Sequence, residues 1–425
     1  MKATILAVGF LAGLEVLLGS QLPLQACGGD AVSLSTLAQE AVSTNADVAG
    51  HAITALRQQG PAGLDALCEA HAALIHQHTT PTFPAGATND TAAWSRLRAA
   101  LDQVSGQRDD YASQLYWYTD LDQAEAAAKA SGKPILSLRL LGRLDEEYSC
   151  ANSRFFRTTL YPNAEIAAYL RQHFVLHWQS VRPVPRITID FGDGRKIEET
   201  ITGNSIHYVL APNGQVIDAL PGLYGPKAFL KGLAVAEKAS ARYASLNESD
   251  GYAYLKAYHR ENLDALLATW QNDLQKDPLI TGDIGSSKSP RNIPVDNEVW
   301  HRIASLHTED AQLDAGARQL IQAKNSFASV AGGLAVSKAA VENPMMRQIR
   351  NFQRSISEDT VRNEYRFHSA IHEWLAADPV SGGLNRLNQR VYAELFLTPD
   401  SDPWLGLAPS TFTGLENDGL VWNPR

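Results

Sequence analysis

The 425-residue sequence predicts an α/β centre, a mixed sheet flanked by helices, set between two all-helical regions. Three observations predict this. Apolar residues recur at helical spacing over 31–78 (Leu34, Leu37, Val42, Val48, Ile53, Leu56), and helical periodicity returns after Ser240. Between about 116 and 240 the pattern changes to short apolar runs alternating with helical stretches. Within that stretch Gly192-Asp193-Gly194 and Pro212-Asn213-Gly214 each sit between two strand-like runs, the turn chemistry of hairpins. Composition narrows the function class. With 37 Lys+Arg against 46 Asp+Glu the net charge is -9, so no basic nucleic-acid surface is indicated. A hydrophobic share of 44% with three cysteines excludes a multi-span membrane protein and a disulfide-dense scaffold.

The elements follow in order. Residues 31–78 are helical, Thr79 to Asp90 is a Pro/Gly/Asn loop, and a helix fits Thr91 to Val104. Leu121 to Ala130 is an Ala-rich helix stopped at Ser131-Gly132, and Ile135 to Leu140 is a strand. A helix fits Asn163 to Gln172, with Glu165 at the positive end of its dipole. Strands fit Phe174 to Gln179, Ile187 to Phe191, Arg195 to Ile201, Ile206 to Leu210 and Gln215 to Ala219. Gly225-Pro226 starts a helix to about Ala239, because proline suits a first turn. Beyond it, one or two helices fit Tyr252 to Lys276, Asp277 to Asp296 is a polar loop, and helices fit Glu298 to His307, Ala311 to Val330, Asn343 to Phe352, Ser357 to Ala376 and Leu384 to Leu397. The divisions expected are 1–27, 28–115, 116–240 and 241–425, the last ending in an irregular tail.

The N-terminus reads as an export signal: Lys2, the apolar run Ala3 to Gly19, then a small residue before Cys27. Leu24-Gln25-Ala26-Cys27 resembles a bacterial lipoprotein box, which makes Cys27 the lipidated first residue of the mature chain. Plain secretion and a retained anchor helix stand as alternatives, since Glu15 interrupts the run. Every one of these places the bulk of the protein outside the cytoplasm: periplasmic or at the outer membrane with a lipid anchor as its membrane contact in the lipoprotein reading, and secreted in the alternative. Export permits disulfides, so Cys68 and Cys150 either pair or remain free, Cys68 then serving as a small apolar residue on a helix face.

The order helix, strand, Cys-bearing loop, helix, strand, strand, hairpin turn, strand, helix over 117–236 resembles the thioredoxin superfamily. The wording from Asp120 to Leu136, with its Lys133-Pro134 entry into the strand, is similar to secreted thioredoxin-like domains, as are Glu165 to Val175 and Val209 to Val216. The resemblance covers a little over a quarter of the chain. It implies a thiol centre where Tyr148-Ser149-Cys150-Ala151-Asn152-Ser153-Arg154 stands, with Cys150 as the nucleophile and Ser153 in place of the second cysteine. A hydroxyl cannot resolve a mixed disulfide, so unless Cys68 serves as the resolving thiol what remains is a one-thiol site that forms mixed disulfides or is oxidised reversibly. Arg154, Arg157 or Arg143 are positioned in sequence to favour a thiolate, and Asp145-Glu146-Glu147 to oppose it. The family's cis-proline is replaced by Asn204 or Ser205, and His207 follows as a base, a ligand or a hydrogen-bonded strand residue.

Outside that domain His368 and His372 lie four apart, on one face of a helix, with Glu364 one turn earlier, the spacing of two metal ligands or of an ordinary polar face. His71, His76 and His78 with Cys68 share no single face and read as a surface cap of the helix rather than as the alternative, a metal site. The apolar tail from Val391 to Leu407 is a clamp on the core or a docking strip. Three functions follow: a one-thiol redox or mixed-disulfide protein of the envelope, a non-catalytic binding module of the same fold, and a metal-dependent site at His368 and His372. The expected partner is a thiol-bearing or docking protein, and no cofactor is expected.

Overall fold

The structure, a computed structural model, describes residues 33–79, 91–276, 290–294, 298–324, 344–380, 382–408 and 412–421. Cys27 and the segment expected to direct export lie outside these residues. Leu34–Arg425 forms one compact unit. Among the described residues no helix is long and apolar enough to cross a membrane.

The N-terminal part is built from α1 (Leu34–Glu40), α2 (Ala46–Gln58), α3 (Pro61–Ala70), α4 (Ala72–Thr79) and α5 (Ala92–Ser105). Asn45 and Thr91 cap α2 and α5 by accepting hydrogen bonds from first-turn amides. Leu56, Leu64, Leu67, Leu97 and Leu101 close a core of their own. Long polar side chains tie this layer to the sheet: Arg57 donates to Val104 O at 2.8 Å and to Trp117 O at 2.6 Å, and the Trp178 indole donates to Gly106 O at 2.8 Å. The Arg157 guanidinium pairs with Asp109, both side chains buried.

The centre is a five-stranded mixed sheet in the order β1-β3-β2-β6-β7. Its strands are β1 (Trp117–Tyr118), β2 (Ile135–Leu141), β3 (Val175–Arg182), β6 (Ser205–Leu210) and β7 (Val216–Pro221), flanked by α6 (Leu121–Ser131), α8 (Ala164–His173) and α9 (Pro226–Ala244). Strands β1, β2 and β3 are parallel, β6 runs antiparallel to β2, and β7 antiparallel to β6. β2, β6 and β7 are buried along their whole length, as expected of strands covered on both faces. The inserted hairpin β4 (Arg186–Asp190) and β5 (Lys196–Thr200) forms a separate two-stranded sheet, exposed except at Thr200. β1, two residues long, has no counterpart in the sequence reading.

Past the sheet run α10 (Glu248–Lys276), α11 (Glu298–Leu306), α12 (Ala315–Lys324), α13 (Pro344–Arg362), a π-helical turn (Asn363–His368), α14 (Ser369–Ala377) and α15 (Gly383–Arg390). Two expectations are corrected here. The gap expected between Phe352 and Ser357 is absent, since α13 passes through it unbroken; Gln353, Arg354, Ser355 and Ile356 hold no glycine or proline to stop a helix. Ala311 ends a short 3₁₀ turn (Thr308–Ala311) and α12 begins only at Ala315; the rest of the helix expected to Val330 lies outside the described residues past Lys324. The tail is fastened as a clamp over part of its length: Arg182 donates to Thr398 O and Asp402 O at 2.8 and 2.9 Å, and Leu405 is buried in the main core.

Candidate functional site

Cys150 sits where the loop after β2 enters a short helix, α7 (Ala151–Phe155), as its N-cap; its Sγ accepts a hydrogen bond from Ser153 N at 3.4 Å. The thiol is nonetheless fully buried. The segment 200–205 covers it: Thr200 donates to Ser149 O at 2.8 Å, Ala151 N donates to Thr202 O at 3.3 Å, and the Asn152 amide donates to Ser205 Oγ at 2.8 Å. A side chain on Gly203 would meet Asn152 Oδ1 at 2.5 Å, so this cover lies directly on the helix. Burial pushes the Cys150 thiol up, against the helix amides and Arg154 that favour a thiolate.

The other residues expected around this sulfur are engaged elsewhere. Ser153 is buried beside it, while Arg154 pairs with Glu199 of the hairpin at 3.0 Å. Arg143 pairs with Asp145 and Glu146, and Arg157 with Asp109. His207 is boxed in by the rings of Phe156, Tyr161 and Phe229 and bonds the Tyr161 hydroxyl at 2.8 Å; burial pulls its imidazole down to about 3. It is the hydrogen-bonded strand residue of the three readings. Cys68 and Cys150 are both free thiols and do not pair. His71 bonds Ala38 O at 3.0 Å and His78 stacks on Trp94, which makes these two histidines packing groups.

The C-terminal histidines assemble a different centre. β7 carries Asp218 inside an otherwise apolar strand, Val216-Ile217-Asp218-Ala219-Leu220, buried on both faces. A carboxylate held this way needs strong partners. The π turn and α14 supply them. His368 Nε2 lies 2.9 Å from Asp218 Oδ1, and its Nδ1 lies 3.2 Å from Glu364 Oε2. The Tyr258 hydroxyl, from α10, donates to Asp218 Oδ2. His372 stacks on His368 with centroids 4.2 Å apart, and its Nδ1 meets His259 Nδ1 at 2.9 Å. One atom each of Asp218, His368 and His372 can be chosen so that all three lie within 4.8 Å of one another.

Charge is sharply divided across this group. Burial would raise the Asp218 carboxyl, but the imidazoles of His372 and His368 hold it well below the carboxylate range. Burial opposes charge on His368 too, yet Asp218 and Glu364 push it up to about 10. Burial, reinforced by His368, drives His372 well down, and burial lowers His259 to about 4. Charge is thus favoured on His368 and disfavoured on His372 and His259.

Asp218, His368 and His372 line one wall of a cavity of about 240 Å³ that also takes in Lys231, His307 and Glu364. Behind His307 lies Asp273, fully buried, which bonds His307 Nε2 at 2.6 Å and accepts from the Tyr365 hydroxyl at 2.6 Å and Lys276 Nζ at 2.9 Å. Asp310 and Asp273 raise the His307 imidazole. Two histidine-carboxylate pairs therefore face a single cavity, an arrangement suited to binding and proton exchange.

The cavity wall is held by close backbone approach. Gly225 N donates to Thr360 Oγ1 at 2.8 Å, and a Cβ on Gly225 would lie 2.2 Å from Asp310 O. Gly225→Ala is expected to force α9 from the 3₁₀ turn bearing Asp310, with a loss of about 1–3 kcal/mol of stability by denaturant unfolding. An unchanged midpoint would contradict this contact.

Sequence reasoning reached His368, His372 and Glu364 and missed Asp218, His259 and Tyr258. The legible sign of Asp218 was a lone acid in a five-residue apolar run; His259 left none. Comparison with known protein families, with curated proteins and with solved structures finds no match.

Proposed function

We propose that this chain is an exported cell-envelope protein whose central domain is thioredoxin-like in fold and which works as a binding protein through the Asp218–His368–His372 cavity. Support for the fold comes from the strand order, with β6 antiparallel to the parallel core, β7 antiparallel in turn to β6, and α7 opening after β2. Support for export comes from the lipobox-like Leu24 to Cys27. The observation that carries the choice of site is the contrast between two centres. The Cys150 thiol is covered and pushed towards its neutral form, whereas three buried polar residues converge on the wall of a cavity. A thiolate nucleophile needs access and a lowered pKa.

Alkylation tests this. In the native protein at neutral pH, Cys150 is expected to resist iodoacetamide on a timescale over which the unfolded chain is fully labelled, and Cys150→Ala should change stability only modestly. Rapid native labelling of Cys150 would overturn the assignment. It would favour the second reading, a one-thiol redox or mixed-disulfide role, which the placement of Sγ at the α7 N-terminus supports.

A further inference from the structure

We infer that Asp218, His368 and His372 together bind one divalent transition-metal ion, zinc or a chemically similar cation. The inference rests on the reading of this cavity as the working site. Its first support is the donor set. Two imidazoles and a carboxylate, with no thiolate, suit Zn²⁺ and neighbouring divalent ions rather than Cu(I). The candidate atoms are within 4.8 Å of one another, and reaching the roughly 3.3 Å edge of a tetrahedral zinc site takes side-chain adjustment of about an ångström or two, with the 2.9 Å pair of His368 Nε2 and Asp218 Oδ1 opening slightly.

The second support is independent of those three residues. Metal-binding imidazoles and carboxylates are normally steered by a hydrogen bond to their remote atom. Each candidate ligand has such a bond. Glu364 holds His368 Nδ1, leaving Nε2 towards Asp218; His259 holds His372 Nδ1, leaving the opposite ring nitrogen; and Tyr258 holds Asp218 Oδ2, while Oδ1 accepts from Ala219 N at 2.8 Å and turns its other lone pair to His368. An ion would take the place of the proton shared by His368 Nε2 and Asp218 Oδ1. Because all three residues line the cavity, the bound ion would have room for a further ligand from that side.

The test uses the full chain, freed of metal with a chelator, and titrated with Zn²⁺ by calorimetry and with Co²⁺ by visible absorption. One ion per chain is expected, and for Co²⁺ a d–d band of a nitrogen/oxygen site. His372→Gln and Asp218→Asn should each weaken binding 100-fold or more. His259→Gln and Tyr258→Phe should weaken it about 10- to 100-fold. His51→Gln, on the exposed face of α2, should leave it unchanged. Wild-type protein that binds no ion, or binds no better than folded His372→Gln, overturns the inference. Should both ligand variants fail to fold, the wild-type Co²⁺ spectrum decides, since a spectrum like that of aqueous Co²⁺ overturns it as well. Alkylation of Cys150 on the same preparation separates the two readings: a protected thiol without metal binding removes only the metal, and a reactive thiol removes the choice of site.

Discussion

Arg157→Met should destabilise the protein by about 3–5 kcal/mol, the range found when one partner of a buried ion pair is removed. The arginine side chain is 1% exposed and that of Asp109 5%, so water cannot replace the lost guanidinium. Arg157 also donates to Glu147 O at 2.8 Å, which fixes the acidic loop before Cys150. Adding Asp109→Asn to Arg157→Met should recover a large part of the loss, because the buried charge goes with it. Asparagine is the replacement to use: Asp109 has φ of 62°, a left-handed conformation that asparagine tolerates. Denaturant unfolding of the four proteins of this cycle gives the coupling directly. A single variant within 1 kcal/mol of wild type would show that the pair contributes little.

Acid should weaken the fold well before its carboxylates are neutralised. His207 and His177 are buried and held neutral, each imidazole pulled down to about 3 chiefly by desolvation. Below the ordinary value near 6.5 the unfolded chain gains protons that the folded chain refuses. The stability these residues contribute is therefore complete above about pH 6.5 and is lost as pH falls towards 3. At pH 5 the loss amounts to about 2 kcal/mol for each histidine. His207→Gln retains a polar partner for Tyr161 and removes one of these titrations. Its stability should fall less steeply than wild type between pH 7 and 5, by about that amount. Parallel curves for the two proteins would refute the assignment to His207.

Local signals in the sequence account for most of the sheet. Ile135 to Leu140 and Ile206 to Leu210 were readable because a strand advertises itself within six residues, and Pro212-Asn213-Gly214 marks its own turn. Trp117-Tyr118 is too short to carry a pattern, and becomes a strand only by pairing with Leu176 and His177. The position of Cys150 at the entrance to a helix was legible; its burial was not, because the cover comes from Thr200 to Ser205, fifty residues on. The site shows the same limit. His368 and His372 announce a common face by spacing, whereas Asp218 and His259 join them only through the packing of β7 and α10 against the later helices. A long-range meeting of this kind has no periodicity to read.

The π turn at Asn363–His368 has a consequence for how such a centre can arise and vanish. A widened turn accommodates an extra residue without ending the helix. Loss of one residue there would let the backbone continue as an ordinary α-helix with the segments on either side still nearly in phase, because the wide turn has already absorbed the extra residue. Descendants of this chain could thus keep every helix and strand, with His372 still on its face, yet lose Glu364 or His368 from the turn in a single deletion, so that ancestry of the scaffold and ancestry of the polar cluster need not coincide.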